Sequence, residues 1–185
     1  YPADLELEFD KQIATANFRT EWQASEKTLV SLGVQNEFQH NDIGGRGFII
    51  PAFTQFTTGG FAHVKFNMTE KSTLQAGLRY DFGTIETEAY SDWFPSPVET
   101  APDTIWAYLQ RAPALNRHFS SVSWSVGYSY NNGHFSAKAN LGKSFRMPIA
   151  KELAANGVNY HHFSYEVGNP DLSPEVSYQF DGSAE

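Results

Sequence analysis

The sequence predicts an all-β protein, an antiparallel meander of about six to seven long strands. Three observations carry that expectation. Apolar and small polar side chains alternate over long runs, tight-turn sequences join the runs in pairs, and short connections alternate with long ones along the 185 residues. Period-two alternation places successive side chains on opposite faces of a strand, so each run has one apolar and one polar face.

The elements follow in order. Gln12–Trp22 pairs across a turn at Ser25-Glu26-Lys27 with a run carrying Val30, Leu32, Val34 and Phe38 on one face. Ser31, Gly33, Gln35, Glu37 and Gln39 lie on its other face. Phe61–Met68 turns at Thr69-Glu70-Lys71 into "STLQAGLRYDF". There Leu74, Ala76, Leu78, Tyr80 and Phe82 alternate with Thr73, Gln75, Gly77, Arg79 and Asp81. Val122, Trp124, Val126, Tyr128 and Tyr130 alternate with serines and Gly127. Asn131-Asn132-Gly133 follows, a turn sequence because Asn and Gly tolerate positive φ. The partner strand carries Phe135, Ala137, Ala139 and Leu141. A last strand with Val176, Tyr178 and Phe180 runs to the end of the chain. The connections near 40–60, 83–117 and 146–174 are read as long.

Composition narrows the function. There is no cysteine, hence neither a disulfide framework nor a thiolate nucleophile or metal ligand. A net charge of −8 argues against nucleic acid as a partner. No apolar run reaches the ~20 residues of a transmembrane helix, which leaves a membrane barrel open, since barrel strands need only every second residue apolar. Short turns alternating with long loops, strands of about ten residues or more, and aromatics gathered near strand ends (Phe18, Trp22, Tyr80, Phe82, Tyr128, Tyr130, Phe135) fit a transmembrane barrel with two interfacial girdles. The polar faces hold Ser, Gly, Asn, Gln and Thr in place of the Lys/Glu mixture of a soluble surface. The chain opens at Tyr1-Pro2 without a leader and ends within a strand. Six or seven strands leave two open edges, which lipid does not tolerate, so the chain is read as part of a larger barrel.

Two motifs sharpen this reading. "SFRMPIAKEL" and "YEVGNPDLSPEVSY" resemble the TonB-dependent outer-membrane receptors. Phe145, Arg146 and Pro148 match a Phe-Arg-x-Pro box, with Met147 where Ala is usual, and Glu152 and Leu153 match the acidic-Leu pair after it. Asn169, Pro170, Leu172, Pro174 and Glu175 match the Asn-Pro-x-Leu-x-Pro-Glu box, with Ser173 where Lys is frequent. "AGLRYD" and "IIPAF" also look like segments of the family, and the opening residues look like its Bacteroidetes receptors. The resemblance implies one domain over 1–185, a partial receptor barrel of about 22 strands in all, with the plug domain absent. It implies a location in the Gram-negative outer membrane, among its lipids. It implies uptake of a scarce ligand, such as a ferric siderophore, haem or another metal complex. Energy would come from the TonB–ExbB–ExbD complex through the absent plug. No enzymatic chemistry, catalytic residue, resident metal or cofactor is implied.

Arg146 is expected to reach Glu152 and Glu175 with its planar fork of donors and so to hold the 146–174 segment to the wall, while Pro148 stops the strand. His161 and His162 lie between the boxes, where haem-type receptors of the family carry an iron-ligating histidine. The blander reading, a polar loop pair, is favoured, and adjacent residues of an extended chain cannot both face one ion. Trp93 and Trp106, in the long 90–113 stretch, are candidate ligand contacts because aromatics stack on flat ligands and sugars. The alternative function is a soluble β-rich carbohydrate-binding module that uses the same aromatics. A zinc hydrolase built on His161, His162 and Glu166 lacks the i, i+4 helical spacing common in such sites.

Overall fold

The computed structural model describes residues 5–99, 103–159 and 162–185. Strands β1 (Glu8–Ser25), β2 (Thr28–Gly44), β3 (Phe53–Thr69), β4 (Ser72–Thr87), β7 (Leu115–Asn131), β8 (Ser136–Arg146) and β11 (Glu175–Ala184) form one antiparallel sheet, each beside its predecessor. Between β4 and β7 a separate hairpin pairs β5 (Tyr90–Glu99) with β6 (Ile105–Ala112). Between β8 and β11 lie the short helix α1 (Ala150–Ala154) and a small hairpin of β9 (Asn156–Asn159) and β10 (Ser164–Val167).

The expected strands are present and longer than the alternation indicated. β2 and β3 extend into the supposed 40–60 loop, which shrinks to residues 45–52, because their ladder continues to the pair Asn41↔Phe53. The 83–117 and 146–174 connections are long as expected but contain regular structure. Pro95 and Pro97 lie within β5, where the register with β6 is irregular. A two-stranded ribbon with broken register tolerates residues that cannot donate to a ladder.

Turn chemistry follows the sequence. The Asn132 side-chain oxygen accepts from the amides of His134 (3.0 Å) and Phe135 (2.8 Å), and Gly133 takes φ +90°. A left-handed conformation there suits glycine, which has no Cβ to clash.

The sheet has two unlike faces. Register places Trp22, Val30, Val64, Ala76, Val126 and Leu141 side by side on one of them. That face is apolar and largely open: Phe18 is 67% exposed, Leu78 59% and Phe180 72%. The other face carries Arg19, Glu21, Gln35, Arg79, Asp81 and a run of Ser and Gly. The Arg79 guanidinium grips both carboxylate oxygens of Asp81 (Nε to Oδ1 2.8 Å and Oδ2 2.7 Å) and reaches Gln35 two strands away (2.6 Å).

The register is sheared. Thr28, at the start of β2, stands level with Phe66, Leu74, Tyr128, Ala139 and Gly182 across the sheet. The later turns, at Thr69–Ser72 and Asn131–Ser136, run past that level. At the opposite end β8 and β11 stop at Arg146↔Glu175, well short of β4 and β7, which continue to Thr87↔Leu115.

The space left by that early stop is filled by the 147–174 segment. It folds back onto the polar face and builds the main buried core there. Ala150, Leu153 and Ala154 of α1 pack on Phe53, Ile85 and Phe119 of the wall, joined by Ile50, Leu115, Met147 and Leu172. Ile85 and Leu153 are each 2% exposed. Truncating a fully buried Leu costs about 2–5 kcal/mol. Leu153→Ala is therefore expected to loosen the 147–174 segment while the long strands keep their pairing. Limited proteolysis of the intact protein should show faster cleavage within 147–174 and unchanged cleavage elsewhere.

Candidate functional site

The two motif segments meet at the end of the β8–β11 pair. Arg146 is the last residue of β8 and Glu175 the first of β11, and the two are register partners. Pro148 cannot extend the ladder, so the chain leaves the sheet and starts α1 one turn away. That short distance brings Glu152 back over the strand end. Arg146 Nη1 and Nη2 donate to Glu152 Oε2 (2.9 Å) and Oε1 (2.8 Å), and Nε donates to Glu175 Oε2 (3.1 Å). One planar fork thus serves two carboxylates, a geometry that a lysine ammonium cannot reproduce. Glu152 also accepts the Ile149 amide (3.1 Å), which caps α1. The Arg146 hydrogen bonds, followed by the Ile149 amide, hold the Glu152 carboxyl below its ordinary pKa of 4.5.

The second motif closes the segment. The Gly168 amide donates to Ala155 O (2.6 Å) and the Asn169 amide to Glu152 O (2.7 Å), so the returning chain takes up carbonyls at the end of α1. A Cβ on Gly168 would sit 2.6–2.8 Å from the Leu153–Ala155 backbone, which leaves room for glycine alone. The Asn169 side chain accepts the Asp171 amide (2.9 Å), a local turn that Asn commonly makes before Pro170 redirects the chain. Leu172 packs against the core, and its carbonyl accepts from Arg117 on β7 (3.1 Å). Phe145 lies opposite Val176, and Pro174 immediately precedes β11.

The ligand candidates lie elsewhere. Trp93 and Trp106 are on the β5–β6 hairpin. Trp93 Nε1 donates to Arg46 O (3.4 Å), and its ring meets Phe94 edge-on. Trp106 is 61% exposed and stands opposite Pro97. His161 lies outside the described residues. His162 is exposed, and its backbone amide donates to Asn159 O (3.2 Å). Glu166 on β10 is engaged by Lys151 (2.7 Å) and Asn159 (2.8 Å), and these contacts lower its pKa. Among the described residues no cluster of three His, Asp or Glu side chains could hold a metal ion.

Other residues of consequence escaped the sequence reading. Arg117 and Arg111 are ordinary arginines in a long connection, and nothing in their spacing marks them as contacts of a segment tens of residues away. Arg79 and Asp81 stand at i and i+2 on the polar face, a pattern that could have identified a same-face ion pair.

Comparison with known proteins places this fold. The family profile "TonB dependent receptor-like, beta-barrel" matches residues 3–185. No curated protein matches the chain. Among solved structures, a double mutant of the Serratia marcescens hemophore receptor HasR, in complex with its hemophore HasA and heme, superposes with a TM-score of 0.68 at 19% identity. The match covers 96% of this chain and 30% of that one. The copper transporter OprC gives 0.70 at 15% identity, covering 96% of this chain and 28% of that one. The chain therefore spans under a third of either structure, and identities this low speak for the fold alone. With its β-barrel profile matched from residue 3 to the last, the chain belongs to the TonB-dependent receptor family.

Proposed function

We propose that this chain is a section of the barrel wall of an outer-membrane transporter that takes up a scarce ligand. The observation that carries the reading is the apolar face. Large side chains such as Leu78, Tyr80 and Phe180 stand open along the sheet, and a soluble protein rarely leaves so continuous a patch uncovered. Lipid is the surrounding that makes this arrangement stable. A crossing strand needs about 9–11 residues, and the apolar run of β4 from Leu74 to Phe82 meets that length. Beyond it the same face turns to Thr84 and Glu86, and that polar continuation would stand in water above the bilayer. The polar face then lines the lumen.

On this reading the open edges of β1 and β11 pair with further strands of the receptor, since unpaired backbone groups are costly in lipid. The domain is a partial barrel, and the plug that would engage TonB and its ExbB–ExbD partners belongs to other parts of the protein. A metal complex is the ligand class we favour, ferric siderophore or haem included. Trp93, Trp106 and His162, with His161, are the candidate contacts. A soluble carbohydrate-binding module is disfavoured, because it would have to bury the apolar face in a core that the chain does not build.

The reading is tested by an antibody raised against this chain. In source cells it should detect a band well above 20.7 kDa, in the outer membrane, that shifts on boiling. A soluble band near that mass would overturn the proposal. A substitution probes the face itself. Leu78→Arg should cost about 2–4 kcal/mol of folding into bilayers if Leu78 lies near the midplane, whereas Ser129→Arg on the lumenal face should cost far less. Urea titration of the intact receptor in liposomes distinguishes them.

Arg146 is proposed to pin the 147–174 segment to the barrel wall. Arg146→Ala and Arg146→Lys should both speed proteolysis there, the lysine less. Acid should do the same. The Glu152 pKa is depressed in the folded segment, so its contribution is complete above the ordinary glutamate range and is lost as pH falls through the depressed value, below about 4.5. Cleavage that is insensitive to pH between 7 and 3 would remove Glu152 from the account.

A further inference from the structure

We propose that Arg111 and Asn156 are positioning residues that lock three outer connections into one unit, so that the candidate ligand-contact hairpins β5–β6 and β9–β10 open and close together. Arg111, near the end of β6, and Asn156, the first residue of β9, make a reciprocal pair. Arg111 Nη2 donates to Asn156 O (3.2 Å), and the Asn156 side-chain amide donates back to Arg111 O. Tyr165 on β10 donates its hydroxyl to Asn156 Oδ1 (2.6 Å), and its ring lies under the Arg111 guanidinium at 5.7 Å. Asp92 of β5 faces the same guanidinium at 3.8 Å and is 10% exposed. The third connection, residues 45–52, enters from two sides. The Asn156 amide donates to Ile49 O (2.9 Å), and the Phe48 ring stacks on Tyr90 of β5 at 4.1 Å.

Segments joined this way share their opening equilibria. The reciprocal side-chain-to-backbone bonds tie two hairpins that are each weakly held on their own: β9–β10 has only four residues on each side. β5–β6 has prolines and broken register. Two marginal hairpins therefore gain order from each other at this node. The consequence is reciprocal: whatever orders one hairpin orders the other by the same free energy.

The lock needs no ligand and stands apart from the transport reading, so it is tested without one. Hydrogen exchange is measured on the full receptor in detergent. Asn156→Ala removes the side-chain links and strands no charge, and Arg111→Lys keeps a cation beside Asp92 but loses the fork. Asn156→Ala, a change in β9, should raise exchange of the 90–98 amides about three- to tenfold, as loss of one or two ordinary hydrogen bonds implies. Arg111→Lys, a change in β6, should raise exchange across 157–159 and 164–167. Tyr165→Phe should act in the same direction and less. If each substitution speeds exchange only in its own hairpin, or in neither, the lock is overturned. Faster exchange throughout the long strands would mean general destabilisation and would also overturn it.

Discussion

The structure depends on one constraint, the facing of side chains across seven aligned strands. Because the ladders hold register from β1 to β11, a single alternation in sequence becomes two continuous surfaces of opposite chemistry. The ladders pair β2, β3 and β4 on both sides along most of their length. The apolar side chains are then free to meet a non-aqueous surrounding, and the polar ones gather on the other side. The main buried core is built against the polar surface, by a segment that brings its own apolar residues to Phe53, Ile85 and Phe119. A sheet with this arrangement keeps its hydrophobic exterior for something outside the chain and uses its interior for fixtures.

The folded-back segment is the chief fixture. It is anchored at its ends by arginines of the wall, Arg146 at the strand terminus and Arg117 on β7, and through α1 by the buried Leu153. Ion pairs this exposed contribute modestly. Their role is geometric: Arg146 joins the strand that ends, the helix that begins and the strand that resumes, so the two motif boxes meet at one guanidinium. Most of the energy comes from the buried aliphatic contacts, and the direction comes from the fork and the prolines.

The long strands, the hairpin pairing and the carboxylates that Arg146 reaches were legible in the sequence, because each is written in local pattern: period two, Asn-Gly turns, a proline after an arginine. The β5–β6 hairpin was hidden because Pro95 and Pro97 break alternation and its pairing is irregular. The extensions of β2 beyond Gln39 and of β3 before Phe61 were hidden because the apolar face changes chemistry there: His40 and Asp42 follow Phe38, and Thr58 and Gly60 precede Ala62, while the ladder continues. The Arg111–Asn156 pair joins residues far apart in sequence, each accepting through its backbone carbonyl, and backbone acceptors leave no mark in a residue pattern.

The shear of the sheet has a geometric consequence. Residues that stand level along the hydrogen-bond direction do not stand at equal depth once the turns are set on a common plane. The wall is a ramp. Crossing it strand by strand from β1 towards β11 climbs towards the long-connection end, as the early stop of β8 and β11 implies. The grip of Arg79 on Asp81 and Gln35 therefore runs obliquely to the plane of the turns. Along the polar face, from the short turns towards the long connections, side chains of successive strands follow one another in turn, like treads of a spiral stair.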